Sequence, residues 1–358
     1  MNKEMKAIVL TDHFGEGGAE RVASLLIKGL ADVGHEVHVC VFIDSNNYNL
    51  DLSKVNLHLL STQNHSHALN ILIRMRNLIK TIKEIKPDVI YSFGPSMASY
   101  VVIASSLCGF KKKIKVISSE RNDPRREPAS KWMKTVRDFC YRRSDVVVCQ
   151  TQMAVDLLKS RNINTKFVII PNPISPNLPS WEGKSSKEII TACRLTEQKN
   201  LPMLIGAFAR LKKEFPDYHL TIYGEGHLRQ NLQTYIESMG LKESISMPGF
   251  AKNIHQIMAT SYMYVSSSDY EGISNSMLEA LGIGLPCVCT DCPVGGAAMY
   301  IENGKSGILT KVGDEDELFE GMKKYIVDKE TVRNVSRCSI EIRDRLSFEK
   351  ITKNWVEL

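Results

Sequence analysis

The sequence predicts an α/β protein of two doubly wound domains, each a parallel sheet with helices on both faces. Two observations carry this expectation. Short apolar, strand-like runs alternate with helical stretches along the whole chain, and such alternation implies right-handed crossovers between parallel strands. The alternation breaks once, at Pro171-Asn172-Pro173-Ile174-Ser175-Pro176. Three prolines in six residues continue neither a helix nor a strand, so a domain junction belongs there. A length of 358 residues is enough for two separate cores.

In chain order, Lys6–Thr11 reads as a strand, Ala19–Val33 as a helix, and His35–Ile43 as a strand with Val37, Val39 and Val41 alternating. Residues 69–86 read as a helix, and Asp88–Ser92, Lys115–Ser118, Asp145–Cys149 and Phe167–Ile170 as further strands. After the junction the plan repeats, with strands expected at Lys187–Ala192, His219–Tyr223, Ser244–Met247, Met263–Ser266 and Pro286–Thr290. The stretch from about residue 341 is amphipathic and carries Trp355. The expected domains are therefore 1–172 and 173–340, with 341–358 as a C-terminal helix.

Composition narrows the class. A hydrophobic share of 43% with 24% charged residues is that of an ordinary soluble globular protein. The nine cysteines are odd in number and scattered, some in core-like runs such as Val146-Val147-Val148-Cys149, which reads as reduced thiols and a cytosolic setting. Cys287, Cys289 and Cys292 form the one tight cluster, with no histidine near them in sequence; packing, not metal, is the expected role. No signal peptide is visible at the N-terminus, and the longest nearly apolar stretch, Met97 to Phe110, contains serines and is too short to span a bilayer. Charge is uneven: residues 1–175 hold 25 Lys/Arg against 16 Asp/Glu, the rest 21 against 24. A basic first half suggests that this domain meets an anionic partner.

Chemistry concentrates at expected strand ends. Glu271-Gly-Ile-Ser-Asn-Ser-Met-Leu-Glu279 sets two carboxylates eight positions apart, one before an apolar helix and one a turn inside it. Between them the N–H groups around Ser274, Asn275 and Ser276 are the donors of a helix N-terminus, a ready anion site, and Ile273, Ser274 and Asn275 are the expected contacts to the nucleotide-sugar. An acid on each side of a phosphate cradle suits a nucleotide-sugar. Upstream, Arg194 and Lys199 lie five apart in Ala192-Cys193-Arg194-Leu195-Thr196-Glu197-Gln198-Lys199-Asn200, a pair able to neutralise a diphosphate.

The Glu271–Glu279 string, with Ala280-Leu281-Gly282-Ile283-Gly284-Leu285-Pro286 after it, resembles the Glu-(seven residues)-Glu motif of retaining glycosyltransferase family 4. The resemblance implies the glycosyltransferase B fold, with two Rossmann-like domains facing across a cleft and the C-terminal helix crossing back onto the first. It implies that Glu271 meets the donor sugar, that Glu279 meets the ribose, and that Arg194 and Lys199 stabilise the leaving diphosphate. The Arg194 segment is similar to the family's Gly-Arg-Leu-x-x-x-Lys motif, with Cys193 in the usual glycine place. Gly224 and Gly226 resemble its Gly-x-Gly turn near the nucleotide, and Phe250 stands where the backbone meets the base. Gly17 and Gly18 fall in a segment like its Gly-Gly-Ala-Glu-Arg-Val loop across the cleft from the donor. Gly295 and Gly296 resemble a further Gly-Gly turn, followed here by Ala297-Ala298 where relatives often carry an acid.

At Ser118-Ser119-Glu120-Arg121-Asn122, where many relatives carry a histidine, two readings stand: Glu120 on an acceptor hydroxyl with Arg121 on phosphate, or a salt-bridged structural loop. The helix from Ala68 to Lys86 places Leu72, Met75, Ile79 and Ile82 on one face, with Arg74, Arg76, Lys80, Lys83 and Lys86 around it. A basic amphipathic helix suits an anionic membrane surface, with Arg74, Lys80 and Lys83 as the contacts.

The expected protein is a cytoplasmic, peripherally membrane-associated hexosyltransferase of the retaining type. Its donor is a nucleotide-sugar, a UDP-sugar by resemblance, and its acceptor a growing, lipid-linked surface glycan. The family implies no metal, and there is no Asp-x-Asp string. A nucleotide-sugar epimerase of the same fold is the rival enzyme. A basic nucleic-acid binder would need aromatics interleaved with the cations, and none are regularly placed so. The glycine loop at Gly15 matches a dinucleotide fingerprint poorly, which disfavours an NAD-dependent dehydrogenase.

Overall fold

A computed structural model describes residues 4–14, 18–43, 52–61, 66–109, 114–183 and 186–358. It divides into two compact units, Met1–Pro173 with Phe348–Leu358, and Ile174–Ser347.

The first unit runs β1 (Lys6–Thr11), α1 (Gly18–Asp32), β2 (Glu36–Val41), β3 (Asn56–Leu59), α2 (His67–Ile85), β4 (Val89–Phe93), α3 (Pro95–Leu107), β5 (Lys115–Ser119), α4 (Lys131–Tyr141), β6 (Val146–Cys149), α5 (Gln152–Lys159) and β7 (Lys166–Ile169). Its strands pair in parallel in the order β3-β2-β1-β4-β5-β6-β7. Successive side chains of a strand point to opposite faces, and the packing follows. Ile8, Leu10, Cys40 and Ile90 pack with Leu78 and Ile82 of α2 and Val101 of α3 in one cluster.

The second unit runs β8 (Glu188–Ala192), α6 (Leu201–Glu214), β9 (His219–Tyr223), α7 (Arg229–Ser238), β10 (Ile245–Gly249), α8 (Ile254–Thr260), β11 (Met263–Ser266), α9 (Asn275–Ile283), β12 (Cys287–Thr290), β13 (Ile308–Thr310), α10 (Glu315–Val327), α11 (Lys329–Ser339) and α12 (Ile342–Arg345). Its sheet is parallel with the order β10-β9-β8-β11-β12-β13. Both sheets thus contain the doubly wound 3-2-1-4-5-6 order, in which ligands bind beyond the carboxyl ends where the winding reverses. In the first unit that point lies between β1 and β4, and in the second between β8 and β11.

The last helix, α13 (Phe348–Val356), belongs to the first unit. Trp355 is buried there, its ring 5.4 Å from that of Phe93, and its carbonyl accepts from the Tyr91 hydroxyl at 3.3 Å. Gly29 of α1 makes this approach possible, because a Cβ at that position would lie 1.8 Å from Thr352 Cγ2 of α13.

Two strands, β3 and β13, are absent from the sequence-based expectation. The face of α2 also needs correction. Leu78 and Ile82 are its buried apolar residues, with Thr81 buried between them, Met75 and Ile79 pack beside them, and Leu72 points to solvent at 67% exposure. Leu69 and Ile71 are exposed with it. No helix among the described residues is long and apolar enough to cross a membrane, and all nine cysteines are free thiols.

Candidate functional site

The reversal point of the second sheet gathers most of the expected residues. β8 leads into the Arg194–Asn200 segment, whose turn Glu197–Lys199 is a single 3₁₀ helix closed by Asn200 at φ 42°, ψ 47°. Asparagine tolerates this left-handed conformation better than most residues. β11 leads into Ser267–Glu271. The two loops are stitched together: Asp269 N–H donates to the Gln198 carbonyl at 2.9 Å, Ser267 Oγ to the Lys199 carbonyl at 2.8 Å, and Asn200 Nδ2 to Asp269 Oδ1 at 2.8 Å.

At the centre, Lys199 Nζ donates to Glu271 Oε1. Ser268 Oγ reaches the same oxygen at 3.0 Å, and Gln198 Nε2 reaches Oε2 at 3.1 Å. Both Glu271 oxygens are therefore held. Burial alone would lower the Lys199 ammonium, yet Glu271 beside it holds its pKa above that of an ordinary lysine. Arg194 is exposed and makes no side-chain ion pair among the described residues, which leaves its fork open to a ligand.

Gly224 and Gly226 act through the backbone. A Cβ on Gly224, at φ +122°, would lie 2.0 Å from the Cys193 carbonyl oxygen, and one on Gly226 would lie 2.3 Å from that of Leu195. The glycines let the β9 loop lie directly on the segment carrying Arg194, with Leu195 N–H bonded to the Glu225 carbonyl at 2.9 Å. Cys193, in the glycine place of the motif, is a half-buried thiol pushed up to about 11 by desolvation. Phe250, just after β10, is 52% exposed. Gly296 backs the acidic loop, since a Cβ there would meet the Gly272 carbonyl oxygen at 1.7 Å.

α9 starts at Asn275, capped by Ser274 Oγ accepting from Met277 N–H at 3.4 Å, with Ile273 buried before it. Ser276 Oγ is tied to the Tyr264 hydroxyl at 2.9 Å. Glu279, one turn in, is 5% exposed. His255 Nε2 lies 2.9 Å from its Oε2, and Ser175 Oγ lies 3.4 Å from Oε1. Sequence reasoning missed Gln198, Ser268 and His255. Gln198 had a signal in its adjacency to Lys199 within the motif, whereas the other two converge only through tertiary structure.

In the first unit, Gly18 opens α1, while Gly17 lies outside the described residues. Glu120, after β5, is 1% exposed. Its oxygens meet the Arg121 backbone N–H at 3.0 Å, the Tyr141 hydroxyl at 3.3 Å and Arg137 Nη1 at 3.8 Å. Desolvation raises its pKa to about 7 despite Arg137. Burial leaves this carboxyl no surface to offer an acceptor hydroxyl, and it braces the Arg121 loop instead. Arg74 stacks over the Phe42 ring at 4.5 Å with its Nε buried, so it is turned inward, whereas Lys80 and Lys83 stand in solvent. Lys80 lies 3.8 Å from Glu84. Among the described residues no group of three His, Cys, Asp or Glu is placed to hold a metal ion.

Two family models match nearly end to end: Glycosyltransferase Family 4 over residues 16–178, and Glycosyl transferases group 1 over residues 180–341. The chain is 28% identical over 334 residues to an uncharacterised glycosyltransferase of Methanocaldococcus jannaschii, spanning 80% of this chain and 82% of the relative. Over 357 residues and 94% of each chain it is 26% identical to a Campylobacter jejuni enzyme, N-acetylgalactosamine-N,N'-diacetylbacillosaminyl-diphospho-undecaprenol 4-alpha-N-acetylgalactosaminyltransferase. Among solved structures, Anabaena HepE in complex with UDP and glucose matches with a TM-score of 0.87 at 20% identity over 99% of each chain. This last likeness speaks for the fold.

Proposed function

Because the chain belongs to the glycosyltransferases of the B fold, we propose that it is a retaining enzyme moving a sugar from a UDP-sugar to a growing, lipid-linked surface glycan. The observation that carries the reading is the open Arg194 fork beside the Lys199–Glu271 pair at the reversal point of the second sheet. In this reading Arg194 and Lys199 face the donor diphosphate, aided by the N–H groups of Ile273, Ser274 and Asn275. Glu279 takes the ribose hydroxyls and Glu271 the sugar, while Phe250 lies by the base and Gly224 and Gly226 support the Arg194 loop. The relatives supply the substrate classes. HepE was solved with UDP and glucose, and the Campylobacter relative is named for a diphospho-undecaprenol acceptor.

The chemistry follows from charge. As the bond from the anomeric carbon to the phosphate oxygen breaks, negative charge grows on the diphosphate, and two fixed cations stabilise it. The acceptor oxygen attacks the same face, and its proton passes to the departing phosphate. Glu271 is a poor nucleophile for a double displacement, because Lys199, Gln198 and Ser268 already hold both of its oxygens. We place the enzyme at the cytoplasmic face of the cell membrane, with Lys80, Lys83 and the exposed Leu69, Ile71 and Leu72 of α2 toward anionic lipid.

The deciding experiment incubates the full chain with a panel of UDP-sugars and a lipid-linked acceptor, and reads the product anomer by NMR. Retention with release of UDP is expected. Inverted product would remove the retaining assignment, turnover of donor without acceptor would point to an epimerase, and no use of any nucleotide-sugar would sink the reading.

A further inference from the structure

We propose that Arg121 binds a phosphoryl group at the carboxyl edge of the first sheet. Arg121 follows β5, and its Nη2 donates to Asn172 Oδ1. That oxygen also accepts from Gln150 Nε2 at 2.7 Å. Gln150 follows β6 and Asn172 follows β7, so the ends of three neighbouring strands fix one guanidinium. Phe93, the last residue of β4, lies 5.9 Å from it by ring centroid.

What the fork lacks is acceptors. Its Nε and Nη1 are buried without a hydrogen-bond partner among the described residues, one on each side of the fixed Nη2. Buried donors are nearly always paired, and an orphaned one needs a reason. The nearby acids do not supply it. Glu120 is spent on Arg137, Tyr141 and the backbone, and Glu20 of α1 acts on Arg121 only at a distance. A guanidinium held in place with open donors on two sides matches a group with several charged oxygens, and a diphosphate fills both sides where one carboxylate would not. Desolvation, outweighing Glu120 and Glu20, holds Arg121 down to about 10. Only the source of the phosphoryl group, a lipid diphosphate acceptor or the donor's own diphosphate, rests on the glycosyl-transfer reading.

The test uses calorimetry on the full chain, with inorganic pyrophosphate, farnesyl diphosphate, farnesol and UDP as probes, against Arg121→Gln and Arg121→Lys. The expected result is a loss of at least tenfold in affinity for a diphosphate probe in Arg121→Gln and a smaller loss in Arg121→Lys, with farnesol silent throughout. A loss for farnesyl diphosphate that spares UDP assigns the group to the acceptor, and the reverse assigns it to the donor. Arg121→Gln gives up the bond to Asn172 and should melt somewhat lower than wild type, but a purely structural arginine would show that fall in melting temperature without a change in diphosphate binding. Equal affinities for every probe in wild type and both variants, or no diphosphate binding by wild type, would overturn the proposal. Failure of wild type to bind UDP while Arg121-dependent pyrophosphate binding persists would count against glycosyl transfer and leave this site standing.

Discussion

The Lys199 ammonium donates to Glu271 Oε1, joining the loops that follow β8 and β11 across the reversal point of the second sheet. In the proposed mechanism, the cation that meets the diphosphate is thereby held in place before any ligand arrives. Preorganised charge of this kind accounts for much of catalysis, because no reorganisation is needed as the transition state forms. Arg194→Ala removes an exposed cation with no ion pair among the described residues and should leave the fold intact while lowering turnover by about 10² or more. Lys199→Ala should lower turnover similarly and also strand Glu271. Adding Glu271→Gln to Lys199→Ala should then cost less stability than the two single losses summed, by about 0.5–3 kcal/mol in urea melts. Near-normal turnover in a folded Arg194→Ala, Lys199→Ala variant would remove both from the mechanism.

Gly224 and Gly226 make a separate, structural prediction. Their hypothetical Cβ atoms overlap the Cys193 and Leu195 carbonyl oxygens, so the Arg194 loop has to shift to admit a methyl group. Each change to Ala should destabilise by about 1–3 kcal/mol, the usual cost of overpacking, with more at Gly224 for its positive φ. Turnover should fall with it. Urea melts matching wild type would show that the two loops do not pack as described.

The central strands and the charged site residues were legible because their signals are local. Val146–Cys149 is a continuous apolar run of the kind that a parallel sheet buries on both faces, and Arg194, Lys199, Glu271 and Glu279 stand in short motifs. What escaped depends on tertiary context. β3 is an edge strand of four residues whose Leu57 and Leu59 stay about 40% exposed, so it lacks a buried pattern. Periodicity told which residues of α2 share a face but not where the core beneath it ends, and Leu72 lies past that limit. Glu120 is charged, and nothing in its neighbours in sequence announces that Arg137 and Tyr141 will enclose it. His255 reaches Glu279 from a different helix, a convergence no spacing encodes.

Glu120 should leave a trace in the pH dependence of stability. Its pKa is raised from 4.5 to about 7 in the folded protein, so the native state binds this proton more tightly than the unfolded chain does. The group's stabilisation is full below about pH 4.5 and is lost as pH rises through 7, a change of roughly 3 kcal/mol. Glu120→Gln cannot ionise. Relative to wild type it should gain stability between pH 5 and pH 8, as read from urea melts at both. A difference between the two proteins that does not change with pH would refute the buried, reluctant carboxyl.

Membrane docking predicts a graded response on α2. Lys80 and Lys83 stand in solvent and Leu72 is 67% exposed, whereas Arg74 is stacked on Phe42. Changing Lys80 and Lys83 to Gln should weaken binding to anionic vesicles, as should raised salt, since surface attraction is screened beyond about 8–10 Å. Leu72→Ser should weaken it further, and Arg74→Gln should have the least effect. Indifference of the wild-type chain to anionic vesicles at low salt would end the proposal.

The two acids of the Glu271–Glu279 segment should separate by experiment. Glu279 is buried inside α9 against His255 and Ser175, a fixed acceptor suited to ribose hydroxyls present in donor and free nucleotide alike. Glu271 is locked to Lys199, Gln198 and Ser268, beside the diphosphate pair and suited to the sugar as its bond breaks. Interactions equal in ground and transition states change binding, while those made mainly in the transition state change turnover. Glu279→Gln should therefore weaken UDP binding measured by calorimetry. Glu271→Gln keeps the size of the side chain and an oxygen that can accept from Lys199, so it should cost UDP affinity less than Glu279→Gln does while cutting turnover more. Equal losses of UDP affinity in the two variants would mean that sugar and ribose are not divided between these acids. The donor would then lie along β8 and β11 in another orientation, with Lys199 and Arg194 meeting a different part of it.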